Sequence, residues 1–303
     1  MKKFNRFLLI LSVLFLIIGI GFTVAGLSMG ATWEKLQAVQ EEGGLESIGR
    51  LWIQADRLHT DKEWEEELDE LVKSSDAQGI RHISGGGDEN IYEVSADEVK
   101  ALIMDVSCNS LVLDENGKGD AIVITVEEGS GDKVTVAKKD SALLIQDKRK
   151  FFYSDGEITI SYPENLTLDS MELSMDAGEA ELWGSLQADT VQVSIGAGEL
   201  NGSGRITCTS SKWEVGAGSI YLETVDSRET QLKCGIGELD ITLFGRESDY
   251  NYELKCGIGD LEVGRNSYGG FGGSKSIDNG ADRAVKADCG IGELNIDFEE
   301  DES

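Results

Sequence analysis

Ile195-Gly196-Ala197-Gly198-Glu199-Leu200 decides the fold, because this phrase does not occur only once. Variants of it begin at Met175 (MDAGEA), Val215 (VGAGSI), Cys234 (CGIGEL), Cys256 (CGIGDL) and Cys289 (CGIGEL). The shared glycines are Gly178, Gly198, Gly218, Gly237, Gly259 and Gly292, so successive copies stand 20, 20, 19, 22 and 33 residues apart. A short unit recurring at a near-constant step predicts a solenoid in which every copy is one rung and touches only its neighbours.

The columns of the aligned phrase carry the side-chain pattern. Before the glycine stand Leu173, Val193, Trp213, Leu232, Leu254 and Ala287, and two residues later Met175, Ile195, Val215, Cys234, Cys256 and Cys289. Ala177, Ala197, Ala217, Ile236, Ile258 and Ile291 follow at the same interval, so all three columns are expected to face inward from one strand. After the glycine the apolar columns are Ala180, Leu200, Ile220, Leu239, Leu261 and Leu294, and then Leu182, Gly202, Leu222, Ile241, Val263 and Ile296. The interval across the glycine is three, not two. A strand that slips phase while keeping its apolar side inward must bend, and a glycine in a left-handed or bulged conformation allows that. Each phrase therefore reads as a corner, with its glycine in a structural role.

The expected fold class is all-β: a single-stranded β-solenoid (β-helix) of about 20-residue rungs. One N-terminal transmembrane helix and a short helical stalk precede it. Residues 166–298 form the repeat array, with 264–286 as a loop extruded from its wall. Residues 89–165 alternate with period two but carry no copy of the phrase, and read as first rungs or a cap. Residues 299–303 are an acidic tail.

The first 30 residues read as a cytoplasmic stub and a signal-anchor. Phe7 to Met29 is an apolar run of about 23 residues; at ~1.5 Å per residue it reaches ~34 Å, enough to cross a bilayer core of ~30 Å. A cleaved leader has a shorter apolar core, so the length favours a retained span. Lys2, Lys3 and Arg6 precede it and Glu34, Glu41 and Glu42 follow, which places the N-terminus in the cytoplasm and the bulk of the chain outside. Residues 31–88 show helical spacing (Trp33, Leu36, Val39; Trp64, Leu68, Leu71) and end in Gly85-Gly86-Gly87, a helical juxtamembrane stalk with a glycine-rich joint.

The chain holds 27 basic and 57 acidic residues, a formal charge of −30. Such a surface repels nucleic acid. The cysteines Cys234, Cys256 and Cys289 replace Met, Ile and Val of earlier rungs, so they read as small core residues; no Cys-x-x-Cys pair suggests zinc or redox chemistry. Glu179, Glu199, Glu238, Asp260 and Glu293 form an acidic column that Ser219 interrupts, which reads as a solvated corner. Both histidines, His59 and His82, precede the repeats, and no acid pair has a distinctive setting. No catalytic, cofactor-binding or metal-ligating residue is therefore assigned. The break in the rhythm, with Tyr268, Phe271 and Lys275, is the candidate interaction loop.

The strand end Ile160-Ser161-Tyr162-Pro163 before Leu166 and Leu168, followed by serial Gly-x-Gly-Glu/Asp-Leu phrases, resembles a bacterial family labelled "putative adhesin". The resemblance covers about residues 95–298. It implies a β-helical protein of the cell envelope, membrane-anchored or soluble, with no agreed catalytic residues to carry over. The expected function is accordingly non-enzymatic: adhesion or envelope-stress sensing at the cell membrane, through a protein or cell-wall glycan partner and without a cofactor. A carbohydrate-active enzyme on the same fold and a Ca²⁺-dependent structural surface element are the alternatives.

Overall fold

The computed structural model describes residues 79–84, 90–107, 110–117, 119–127, 134–147 and 156–300. The chain divides into two compact units, Met1–Ser47 and Ile48–Ser303, and every described residue belongs to the second. The apolar run over 7–29 and most of the expected stalk lie outside the described residues. No helix among the described residues is long and apolar enough to cross a membrane.

The described chain is all-β. Its strands are β1 Ile80–Ser84, β2 Asn90–Ser95, β3 Ala101–Val106, β4 Ser110–Asp114, β5 Ala121–Val126, β6 Val134–Lys139, β7 Ala142–Asp147 and β8 Glu157–Ser161. After them come β9 Thr167–Trp183, β10 Leu186–Phe244, β11 Tyr250–Val263, the two-residue β12 Asn266–Ser267, β13 Gly270–Ile277 and β14 Arg283–Glu299. The segment 80–84, expected at the end of a helical stalk, is a strand that pairs antiparallel with β2.

The repeated phrases stack in register. β9 lies parallel to the first part of β10 with Gly178 beside Gly198 and Glu179 beside Glu199. Gly218 then abuts Gly198, and Gly237 abuts Gly218, so β10 holds three successive rungs. Like residues therefore meet like residues along the stack, and the inner columns are sealed: Leu173, Val193, Trp213, Leu232, Leu254 and Ala287 are all 3% exposed or less. At ~1.5–3 kcal/mol per buried large side chain, these columns are the main favourable term holding rung to rung.

One inward column is a correction. Ile236 is 37% exposed and Ala197 and Ala217 are exposed, so the third column faces solvent and not the core. The buried positions run 171, 173, 175 and then 180, 182. The whole tetrad between Met175 and Ala180 turns outward, so the phase slip is spread over four residues. Its glycine takes a positive φ in every copy, from 140° at Gly218 and Gly237 to 156° at Gly259.

The rungs are not stacked in chain order. β14 lies between the last rung of β10 and β11, parallel to both. The chain leaves β10 at Phe244, skips one rung position, builds β11 beyond the gap, and returns to fill the gap with β14. The opposite end repeats the arrangement: β3 and β4 lie between the later pair β7, β8 and strand β9. Within 264–286, expected as an extruded loop, Asn266–Ser267 and Gly270–Ile277 are strands and β14 begins at Arg283, while 264–265, 268–269 and 278–282 link them. β12 and β13 pair antiparallel with the outer side of β11 and cover the edge that a last rung would expose. β6 covers β7, and β5 covers β8, in the same antiparallel sense.

A candidate interaction face of carboxylates

The strand that follows each corner turns alternate residues outward, and stacking converts them into ladders. Next to the corner the ladder reads Glu179, Glu199, Ser219, Glu238, Glu293, Asp260 in spatial order, because β14 precedes β11 in the stack. Two residues on it reads Glu181, Asn201, Tyr221, Asp240, Asn295, Glu262, and then Trp183, Ser203, Glu223, Thr242, Asp297. β4 and β8 add Asp114 and Glu157 at the near end. None of these ladder positions holds a lysine or arginine; the first cation is Arg205, two residues beyond Ser203 on β10, whose guanidinium stands 4.2 Å over the Phe244 ring at the margin of the face.

Polar side chains separate the acids. Asn295 Nδ2 donates to Asp240 Oδ1 at 2.8 Å and to Glu293 Oε1 at 2.9 Å, a neutral spacer between carboxylates. Asn201 donates to Glu199, and the Trp183 indole N–H donates to Glu181 Oε2 at 2.9 Å. Where no spacer intervenes the repulsion is felt: Asp240 chiefly, with slight burial and Glu293 adding, holds the Glu238 carboxyl above the usual range. Trp183 and Tyr221 stand 50% and 52% exposed on this face. Beside Tyr221 a cleft of about 230 Å³ opens over Asp240, Glu262, Asn295 and Asp297.

The other face, on the strand before each corner, is built differently. Its charges alternate and pair: Lys212 and Lys233 both reach Glu214, at 3.0 and 2.6 Å, and Lys286 reaches Glu253 at 3.5 Å. Asp288 sits between Lys233 and Lys255; burial pushes its carboxyl up while the two lysines pull it down. One face thus pairs its charges, whereas the ladders of the other carry carboxylates among neutral side chains, with Arg205 at the margin.

The residues singled out from sequence fall into place around these faces. Stacking brings the buried thiols of Cys234, Cys289 and Cys256 side by side, in that order. The Cys289 thiol bonds to Cys234, which lowers Cys234 and raises Cys289. Among the described residues no group of three or more histidine, cysteine or acidic side chains is arranged to hold a metal ion. Tyr268 is half-buried against the core, Lys275 is exposed on β13, and Phe271 lies opposite Ile258 in the β11–β13 register. Phe271 and Lys275 belong to β13, and Tyr268 to the link between β12 and β13. The second and third acidic ladders escaped the sequence reading, although their period-two spacing from Glu179 and Glu199 was the signal that could have found them.

No family model and no curated protein matches this chain. Among solved structures it is similar to a putative cell adhesion protein from Clostridium sporogenes, at 15% identity and a TM-score of 0.32 over 70% of this chain and 99% of that one. It is similar also to a putative adhesin from Bacteroides fragilis, at 12% identity and a TM-score of 0.35 over 71% and 99%. A putative lipid binding protein from Parabacteroides distasonis stands at 14% identity and a TM-score of 0.31 over 71% and 98%. The second carries the name of the family that the sequence resembles.

Proposed function

We propose that this chain is a membrane-anchored, extracytoplasmic β-solenoid that works without catalysis, by holding a cationic protein partner against its carboxylate face in adhesion or envelope sensing. The observation that carries the reading is the segregation of charge among the described residues: acids paired with lysines on one face, and on the other three outward ladders that hold acids and no lysine or arginine, with Arg205 at their margin. Like charges held together cost folding free energy, and a partner's lysines and arginines would relieve that cost. Trp183 and Tyr221 offer ring faces to the same cations. The anchor is supported by the apolar run over 7–29 behind Lys2, Lys3 and Arg6.

Calorimetric titration of the full chain with a lysine- and arginine-rich peptide tests this. Binding is expected to weaken steeply with salt and to fall when Glu181, Glu199 and Asp240 are changed to Gln, Gln and Asn together. A neutral cell-wall polysaccharide is the comparison ligand. Peptide binding that ignores those three substitutions would overturn the face, and oligosaccharide released from the polysaccharide would overturn the non-enzymatic reading.

A further inference from the structure

The place of β14 is specified by more than its backbone. The three phrases that meet there are nearly the same, Cys-Gly-Ile-Gly-Glu/Asp-Leu in all, so backbone pairing and the inner columns would serve rung orders β10–β11–β14 and β10–β14–β11 equally. The outward ladders separate the two. With β14 in the middle, one ladder reads Glu214, Lys233, Asp288, Lys255, alternating in sign at every step. The other reads Asp240, Asn295, Glu262, with the amide between two carboxylates. Chain order would set Lys233 against Lys255 and Asp240 against Glu262, two like-charge contacts that the observed order avoids, whereas the corner ladder Glu238, Glu293, Asp260 is like-charged in either order.

Clasps at both ends add to the address. Arg283, the first residue of β14, bonds Asp226 and the Phe244 carbonyl of β10 and the Tyr250 hydroxyl of β11. At the far end Thr224 donates to Glu299 at 2.7 Å. The gap between β10 and β11 is a slot cut for one sequence. The strand that fills it is joined to the rest by only five residues, 278–282, which Asn251 and Tyr250 tie down through Asn279 and Ala281.

We infer that this slot is a strand-acceptor site whose second occupant is β14 of another copy of the same chain, giving a strand-exchanged dimer. The ladder and clasp contacts of β14 are then remade between copies, and only the five-residue hinge and its ties to Asn251 and Tyr250 differ, which is the condition under which exchange is cheap. Copies confined to one surface raise the local concentration that competes with the chain's own strand. The inference does not depend on the carboxylate face.

The test uses two full-length chains, one with Cys234 and one with Cys289 as its sole cysteine, both shortened in the hinge by deleting residues 279–281. They are refolded together and treated with diamide, which removes two electrons and two protons from a thiol pair. A covalent dimer joining the two chains is expected, since Cys289 of one copy then lies beside Cys234 of the other, and none is expected when Cys208 replaces Cys234 as the sole cysteine. A shortened chain that folds as a monomer and gives no such dimer would overturn the inference. If shortening prevents folding, the same pair with the natural hinge is co-refolded over a rising concentration series. Inter-chain product that grows with concentration supports exchange; its absence throughout refutes it.

Discussion

The corner glycines are fixed by their neighbours as much as by their dihedral angles. A Cβ at Gly218 would sit 1.8 Å from the carbonyl oxygen of Gly198, and φ there is +140°. Backbone on the next rung cannot yield, so Gly218→Ala is expected to cost more than about 3 kcal/mol, whereas Gly273→Ala, whose nearest neighbour is 3.6 Å away, should melt close to the parent. Thermal denaturation compares the two. The corrected column makes a second pair. Ile236→Asp places charge on an exposed site and is expected to stay within about 0.5 kcal/mol of the parent. Leu239→Asp, at a site 0% exposed, should prevent folding, because an unpaired buried charge costs several kcal/mol. An unfolded Ile236→Asp chain would return the third column to the core. The sequence made four of the five apolar columns legible. It misled on the fifth because aliphatic residues two apart imply a continued strand, while two glycines around Ile236 break the alternation.

At the scale of strands, pairing partners were harder to read than strand positions. Phrases that resemble each other closely bury the same columns in either order, so hydrophobic pattern alone does not rank β10–β14–β11 above chain order. The distinguishing signal lies in Asp288 and Asn295, single residues whose value depends on which neighbours they receive. Likewise the glycine-rich 264–286 reads as loop by composition, and its 266–267 and 270–277 become strand because β11 leaves an edge to be covered. The order has a direct check in the thiols. With Cys108 and Cys208 replaced, a chain retaining Cys234 and Cys289 is expected to form an internal disulfide under mild oxidant. One retaining Cys234 and Cys256 should not, because two rung steps of about 4.8 Å exceed disulfide reach. Mass spectrometry of the digested chains distinguishes the outcomes, and the reverse pattern would restore chain order.

The molecule as a whole keeps its charge unbalanced by face. In the folded state the Glu238 carboxyl is raised, chiefly by Asp240, so the folded form holds its proton to higher pH than the unfolded form does. Stability from this site therefore falls as pH rises through that window and is recovered on acidification. Lowering the pH from 7 toward about 5 at low ionic strength, or adding salt at pH 7, is expected to raise the melting temperature. Glu238→Gln should shrink both responses, and a melting temperature that drops with salt would contradict the repulsive face. The tucked strand has a mechanical corollary. A pull on the C-terminus reaches β14, which is gripped along its length on both sides, so tension loads its ladder bonds together in shear instead of peeling them one by one. An end rung would unzip under far less force; interlocking the last two rungs turns the tail of the chain into a tether point.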